Sequence, residues 1–252
     1  MSDVRWSDLM EDMIGFGARS LRSIRDLIVR PRAYFLAAQT ADWSGYTPSF
    51  RIYIALVALS SLLTHFFVGD AGMMTELYAA QFDQIFTELA GENPDYGRMD
   101  AATAAQATLD FLFRWLPFAQ FIGYTLLGLL WRAYGERLSA PVRVRYIYAA
   151  FIPALLLGLT SSLVMLMAAD SAVSASFLGM GLTPLVVAAV AFRGAYPQHL
   201  PRGERLIRAA ILGVAVLAMM TLVTLIVVVS GMGLAIGDGL SALHAADAAA
   251  GA

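Results

Sequence analysis

The residues that could carry acid–base or metal chemistry are few and far apart in this sequence. Its three histidines stand at positions 65, 199 and 244, it has no cysteine, and it contains neither HExxH nor GxSxG. An enzyme needs at least one acid or base held away from bulk water, and no apolar segment carries a pair of carboxylates. We therefore predict a protein that is not an enzyme and that holds neither a metal nor a cofactor.

Three polar residues in or near apolar segments are the remaining candidates for a chemical site. His65 and Arg114 fall near the same predicted membrane interface, and Gln120 follows within an apolar run. Ionisable groups at such depths can serve a proton-linked or anion-binding role. They can equally be interfacial or snorkelling residues, with Gln120 as an interhelical hydrogen bonder. The sequence leaves both interpretations open.

A second candidate site is the arginine-rich stretch RSLRSIRDLIVRPR at positions 19–32. Its five arginines are Arg19, Arg22, Arg25, Arg30 and Arg32, and they suit an anionic lipid surface or a partner protein. The formal net charge of −2 argues against a general nucleic-acid binder. We therefore predict contact with a membrane surface or a partner, and no contact with nucleic acid.

This stretch belongs to a segment with helical periodicity. Apolar residues from Trp6 to Ile28 form one stripe at 100° per residue, which predicts an amphipathic helix from about Arg5 to Arg30 that Pro31 ends or kinks. Such a helix satisfies both faces when it lies in the headgroup region of a bilayer. The alternative is that the stripe packs on the protein's own helices or on a second subunit.

The composition places the rest of the chain in a membrane. Hydrophobic residues make up 59% and charged residues 14%, and the mean hydropathy is +0.66, whereas soluble domains have about 25% charged residues. Apolar runs long enough to be membrane spans occur five times. They are Ile52–Val68, Trp115–Trp131, Tyr146–Ala169, Ala172–Phe192 and Ala209–Ser230. The fold prediction is all-α, a polytopic membrane protein of five transmembrane helices.

Arginine placement predicts the orientation of these spans. Fifteen of the seventeen basic residues, all arginines, fall on one side, and Arg98 and Arg114 fall on the other. The positive-inside rule then gives a cytoplasmic N-terminus and an outer C-terminus. We expect a cytoplasmic segment at 1–48, a transmembrane domain at 49–236 and a loosely held tail at 237–252.

Two further features belong to this plan. The acidic segment at 70–110 contains apolar residues at three- and four-residue spacing, which predicts an outer amphipathic helix over Met73–Leu89, and Asp100 is the expected N-cap of the helix that follows. Pro117, Pro153 and Pro184 fall inside spans two to four and predict kinks. Kinked spans can line a pathway, although they are also common architecture in membrane bundles.

The stretch LIVRPRAYFLAAQTADWSGYTPSFRIYIALVALSSL at positions 27–62 resembles the segment before span one in Yip-type five-span membrane proteins. Its Arg-Pro-Arg, the aromatic pair Tyr34 and Phe35, Tyr46 and Pro48 carry the resemblance, and the five-span plan is similar too. The resemblance implies a non-enzymatic protein that organises membranes or recruits partners, here in a bacterial inner membrane.

The function predicted from the sequence is therefore a membrane-organising or partner-recruiting scaffold or subunit. Its expected partners are the bilayer, with anionic lipids at the cytoplasmic face, and another membrane protein or a second copy of the chain. The alternative is a small-solute transporter or channel subunit whose pathway follows the proline-containing spans two to four. The sequence leaves the partner, the substrate and the oligomeric state undetermined.

Overall fold

The computed structural model of the chain describes residues 17–68, 72–134, 137–167 and 172–250, apart from the side chains of residues 64–68, 72–74, 162–167 and 172–180. Every regular element in these residues is a helix, so the all-α prediction is confirmed. The elements are α1 (Ala18–Val29), α2 (Pro31–Thr40), α3 (Ser49–Val68), α4 (Gly72–Ala90), a 3₁₀ helix (Pro94–Arg98), α5 (Ala101–Leu130), α6 (Ala140–Met167), α7 (Ala172–Gly194) and α8 (Arg202–Ala250).

Internal packing divides the chain into two compact units. The first comprises the described residues of Met1–Leu63 together with Phe121–Met220, and the second comprises those of Thr64–Gln120 with Thr221–Ala252. Helices α3, α5 and α8 each contribute residues to both units. This division follows packing, and it places the N-terminal helices in the first unit. The predicted membrane-based divisions at residues 48 and 236 stay a prediction.

The first unit is built around α6. Residues Tyr146 to Ile152 are all buried, so this part of the helix is enclosed on every side, as expected of a helix that is apolar all round. The rings of Phe35 and Tyr134 pack edge-to-face on Tyr146, with centroids 4.8 and 5.2 Å away. Helix α6 therefore forms the core against which the shorter N-terminal helices rest.

The three predicted intramembrane prolines all lie inside helices. Pro117, Pro153 and Pro184 are within α5, α6 and α7, and each helix continues on both sides of its proline. A Cβ atom at Gly213 of α8 would lie 3.1 Å from the carbonyl oxygen of Pro184. Helices α7 and α8 therefore approach each other closely at this point, as the small residue in α8 predicts.

The second unit contains α4 (Gly72–Ala90), which confirms the helix predicted over Met73–Leu89, while its position on the outer side of a membrane stays a prediction. Its Phe82 and Phe86 are buried against Ala104 and Ala105 of α5. Asp100 is the N-cap of α5, as predicted, because its carboxylate accepts backbone N–H groups of the first turn at 3.2 Å.

The C-terminal segment differs from its prediction. Residues 237–250, expected to be loosely held, continue α8 as helix to Ala250. The guanidinium of Arg98 donates to both carboxylate oxygens of Asp247, at 2.8 and 2.7 Å, and His244 lies 3.2 Å from Asp95. These contacts hold the end of α8 against the 3₁₀ helix.

The N-terminal helix also differs from its prediction. The helix expected from about Arg5 to Arg30 begins at Ala18, because Gly17 has an extended backbone conformation and is the N-cap. Residues 5–16 of the predicted helix lie outside the described residues. Pro31 ends α1, as predicted, but it also starts α2, which the sequence did not predict. Proline suits this first helical position because no helical N–H is needed there.

In the described residues, two helices are long and apolar enough to cross a membrane. They are Ala140–Ser161 within α6 and the long helix α8, while Ser49–Leu63 and Gly181–Gly194 are shorter apolar stretches. Length and composition therefore suggest membrane association. Three of the five predicted spans lie within α3, α7 and α8, and the other two begin within α5 and α6 and end one or two residues beyond them. The five-span count itself stays a prediction.

Candidate functional site

The inward face of α1 is mainly polar. Ser20, Ser23 and Asp26 are 1%, 0% and 7% exposed, beside the buried Leu27. The hydroxyls of Ser20 and Thr47 share a hydrogen bond of 3.0 Å, and the backbone N–H of Thr47 donates to Ser23 Oγ at 2.8 Å. Specific hydrogen bonds therefore attach this face of α1 to the chain just before α3.

Asp26 forms the charged part of the same attachment. The Arg25 guanidinium donates to Asp26 Oδ1 at 2.8 Å, and the Tyr46 hydroxyl donates to Asp26 Oδ2 at 3.1 Å. Desolvation raises the pKa of Asp26, but the hydrogen bonds from Arg25 and Tyr46 outweigh it, so the pKa lies below its ordinary value. The carboxylate is therefore ionised at neutral pH.

The outward face of α1 is apolar and basic. Leu21, Ile28 and Val29 are 63%, 48% and 57% exposed, and Arg22 and Arg25 are exposed among them. Water disfavours a helix that buries serines and exposes aliphatic side chains. An environment that is apolar inside and anionic at its boundary accommodates this face, as a lipid leaflet does.

The C-terminal end of α1 is held by a residue distant in sequence. The two terminal nitrogens of Arg193, at the end of α7, donate to the carbonyl oxygens of Ile28 and Val29 at 2.8 and 3.1 Å. A helix leaves its last carbonyls without intrahelical partners, and a cation there is favourable. Arg193 therefore caps α1 and fixes it to α7.

Helix α2 is held in the same way. Arg32 donates to the carbonyl of Tyr196 at 3.2 Å, and Arg145 of α6 donates to the carbonyl of Ala38 at 3.3 Å. The Arg145 guanidinium also lies over the ring of Trp43, 5.7 Å from its centroid. Three arginine side chains thus attach the α1–α2 pair to the rest of the first unit.

The five predicted surface arginines therefore have different surroundings. Arg19, Arg22 and Arg30 are exposed and have no carboxylate partner among the described residues. Arg25 is exposed but paired with Asp26. Arg32 differs from the prediction, because it is half-buried and its guanidinium is used within the fold.

The second predicted site is not assembled in the described residues. Arg114 is exposed and Gln120 is half-buried on α5, and six residues place them about 120° apart around a helix. The side chain of His65 lies outside the described residues. Among the residues that the structure describes, no three histidine or acidic side chains come together as metal ligands.

Two aromatic residues of the first unit, Tyr196 and Trp131, have buried polar atoms. The Tyr196 hydroxyl and the Trp131 indole N–H are near each other, but among the described residues neither has a partner in hydrogen-bonding geometry. Burial raises the pKa of Tyr196, an effect partly opposed by the adjacent Trp131 and Arg208 side chains. The Tyr34 hydroxyl, by contrast, donates to the Thr47 carbonyl at 2.7 Å. The hydroxyl of Tyr34 is therefore part of the attachment, whereas Tyr196 contributes to it through its backbone carbonyl, which accepts from Arg32, and not through its hydroxyl.

Sequence reasoning missed the residues that hold α1 in place. Ser20 and Ser23 lie beside the predicted apolar stripe, and their three-residue spacing indicates one helix face. The sequence around Arg193 and Thr47 does not indicate their roles in holding α1, because those roles depend on tertiary contacts.

The site was compared with known proteins by sequence and by structure. No protein-family model, curated protein or solved structure matches the chain. The resemblance to Yip-type membrane proteins stays a hypothesis, and the functional argument rests on the geometry of the helices.

Proposed function

We propose that the protein is a non-enzymatic integral membrane protein with five spans, whose α1–α2 helix pair rests on the cytoplasmic leaflet. The five spans are parts of α3, α5, α6, α7 and α8. The role is that of a membrane-organising or partner-recruiting scaffold, with anionic lipid as the first partner. The inverted character of α1, polar inward and apolar outward, is the observation that carries this proposal.

Exposed apolar surfaces on the longer helices support the five-span arrangement. Phe118 and Ile122 of α5 are 63% and 58% exposed, and Val214, Leu225 and Val229 of α8 are 67%, 58% and 58% exposed. Soluble proteins do not usually leave such continuous aliphatic surfaces in water. In a bilayer these side chains contact apolar acyl chains instead of water, so their exposure carries no free-energy cost.

The distribution of arginines supports the proposed orientation. Arg98 and Arg114, the two arginines assigned to the outer side, belong to the second unit, and all other described arginines belong to the first. Within the first unit, Arg193 donates to backbone carbonyls at the end of α1, and Arg32 donates to the backbone carbonyl of Tyr196 after α7. Two loop regions that contact each other in this way lie on the same side of a bilayer. We infer a cytoplasmic N-terminus and a periplasmic C-terminus in a bacterial inner membrane.

The helix pair is the part of this protein best suited to meet lipid headgroups. Arg19, Arg22 and Arg30 flank the exposed aliphatic residues of α1, and each basic residue near an anionic surface contributes about 1 kcal/mol. The pair leads through residues 41–48 directly into α3, so it must lie near the point where that helix enters the membrane.

The proposal can be tested with single introduced cysteines, because the chain has none of its own. Ile28→Cys places an environment-sensitive dye on the outward face of α1, and Ser44→Cys places it on the exposed loop after α2. In full-length protein in anionic vesicles, we expect blue-shifted emission at position 28 that chain-linked lipid quenchers reduce. Position 44 should keep aqueous emission. Aqueous emission at both positions would overturn the proposal.

A further inference from the structure

The proposed leaflet position gives the α1–α2 pair a defined shape as an insertion. Its helices of 12 and 10 residues are about 18 and 15 Å long at 1.5 Å per residue. On α2, Leu36 is also largely exposed, at 47%. The inference below rests on the proposed function, since it concerns what this insertion does to the bilayer.

The pair is fixed to the helices that carry it. Arg193 holds the last carbonyls of α1, Arg145 holds the carbonyl of Ala38 in α2, and the hydrogen bond between Ser20 and Thr47 holds the inward face of α1. A free amphipathic helix can leave the leaflet or change its depth. This pair cannot move without breaking those hydrogen bonds, so its depth is set by the fold.

The second unit has no equivalent insertion among its described residues. Helix α4 turns Phe82 and Phe86 inward, and among its described side chains Leu77 is the one large aliphatic residue that is largely exposed, at 46%. The aromatic face of α4 is thus used for packing within its own unit. The α1–α2 pair combines an apolar outward face with three exposed arginines, Arg19, Arg22 and Arg30, that have no carboxylate partner among the described residues.

We infer that the α1–α2 pair acts as a fixed wedge in one leaflet and makes the protein favour curved membrane. Side chains inserted at the headgroup boundary enlarge the cytoplasmic leaflet and leave the other leaflet unchanged. The membrane then bends so that the enlarged leaflet is on the convex side. The protein is expected to accumulate where the cytoplasmic leaflet is convex, and at high density to generate that curvature.

The test measures how the protein distributes between flat and tubular membrane. Full-length Ser44→Cys protein is reconstituted into giant anionic vesicles and labelled with a membrane-impermeant dye, so that only molecules with the loop outside are visible. Narrow tubes are then pulled from the vesicles. We expect roughly twofold or greater enrichment on the tubes relative to the vesicle wall.

Two variants of the outward face provide the matched comparison. Leu21→Ser with Ile28→Ser removes the apolar wedge, and Leu21→Met with Ile28→Met keeps it. Both positions are exposed, so the inward hydrogen bonds remain, and circular dichroism checks the helix content. The serine variant should lose the enrichment and the methionine variant should keep it.

The outcomes separate this inference from the proposed function. Equal density on tubes and walls for the parent protein would overturn the wedge, as would equal enrichment of the two variants. If the dye at position 28 reports lipid but no enrichment occurs, the wedge fails and the proposed function stands. If that dye reports water, both fail.

Discussion

Replacing Arg193 with alanine should release α1 from the first unit. The side chain donates two hydrogen bonds, of 2.8 and 3.1 Å, to the last carbonyls of α1. Hydrogen bonds from charged groups contribute about 1.5–3 kcal/mol each when shielded, but Arg193 is exposed, and exposed helix-end cations contribute about 0.3–1 kcal/mol. Taking about 0.7 kcal/mol for each of the two exposed hydrogen bonds, we expect a loss of about 1.4 kcal/mol in total, which raises the local opening of α1 about tenfold.

Hydrogen exchange with mass spectrometry measures this opening in the full-length protein. Amides of α1 should exchange about tenfold faster in Arg193→Ala, while amides of α6 keep their protection. Arg193→Lys retains the charge but not the two-pronged guanidinium, so its α1 amides should exchange at a rate between those of the parent protein and Arg193→Ala. Arg202→Ala, at an exposed arginine without a described partner, is the control. Unchanged protection of α1, or equal loss across all helices, would refute the capping role.

Three further predictions concern local interactions. Tyr34→Phe should destabilise the first unit by about 1 kcal/mol, because the Thr47 carbonyl loses its donor. Tyr196→Phe should be neutral or stabilising, because its hydroxyl is buried without a hydrogen-bond partner among the described residues. Thermal unfolding in detergent compares the stabilities of the two variants. Ala41→Gly should stabilise the end of α2 by about 0.5–1 kcal/mol, since Ala41 has a φ of 56°, and the same unfolding assay measures the gain. The hydrogen bonds from Arg98 hold the pKa of Asp247 below its ordinary value, so the end of α8 should loosen as the pH falls below about 4; a spin label near that end reports its mobility.

Each of these predictions has an outcome that contradicts it. Equal losses in the two tyrosine variants would show that the hydrogen bond of Tyr34 contributes nothing. A lower melting temperature for Ala41→Gly would mean that the left-handed conformation is not strained. Asp247→Asn should remove the acid dependence of the spin label, and an unchanged pH profile in that variant would assign the loosening to another group.

The long apolar helices could be predicted from the sequence because their apolar runs are long. Their ends could not. The expected span Ala209–Ser230 is part of a helix from Arg202 to Ala250, since the flanking polar residues continue the helix. Within that helix, Gly231 and Gly239 lie at close range to Phe111 and Met99 of the second unit. A glycine that permits close packing and one that ends a helix look alike in sequence.

The candidate site shows the same limit. Periodicity predicts that α1 has an apolar stripe, but it does not say which edge packs inward. In the structure Leu27 faces the core while Leu21 and Ile28 face outward, because Thr47 and Tyr46 supply partners for the serines and Asp26. Those partners lie about twenty or more residues away in the sequence, and no local sequence pattern indicates them.

The arginines could be counted from the sequence, but their roles could not be assigned. Positive-inside counting grouped them on one side, and the structure puts those that it describes into one unit. Only the fold separates Arg32, Arg145 and Arg193, which hold backbone carbonyls, from Arg19 and Arg22, which remain exposed. Composition sets the charge of a surface, and tertiary contacts decide which charges are free to bind.

Photolabelling from the lipid phase tests the central claim most directly. A bilayer-soluble carbene reagent is activated in vesicles that contain the full-length protein, and modified residues are located by mass spectrometry. The account predicts modification at outward residues such as Ile28, Phe118 and Val229, and none at the buried Leu27. Modification confined to α6 and α8, with Ile28 and Val29 reached only by a water-soluble reagent, would contradict it.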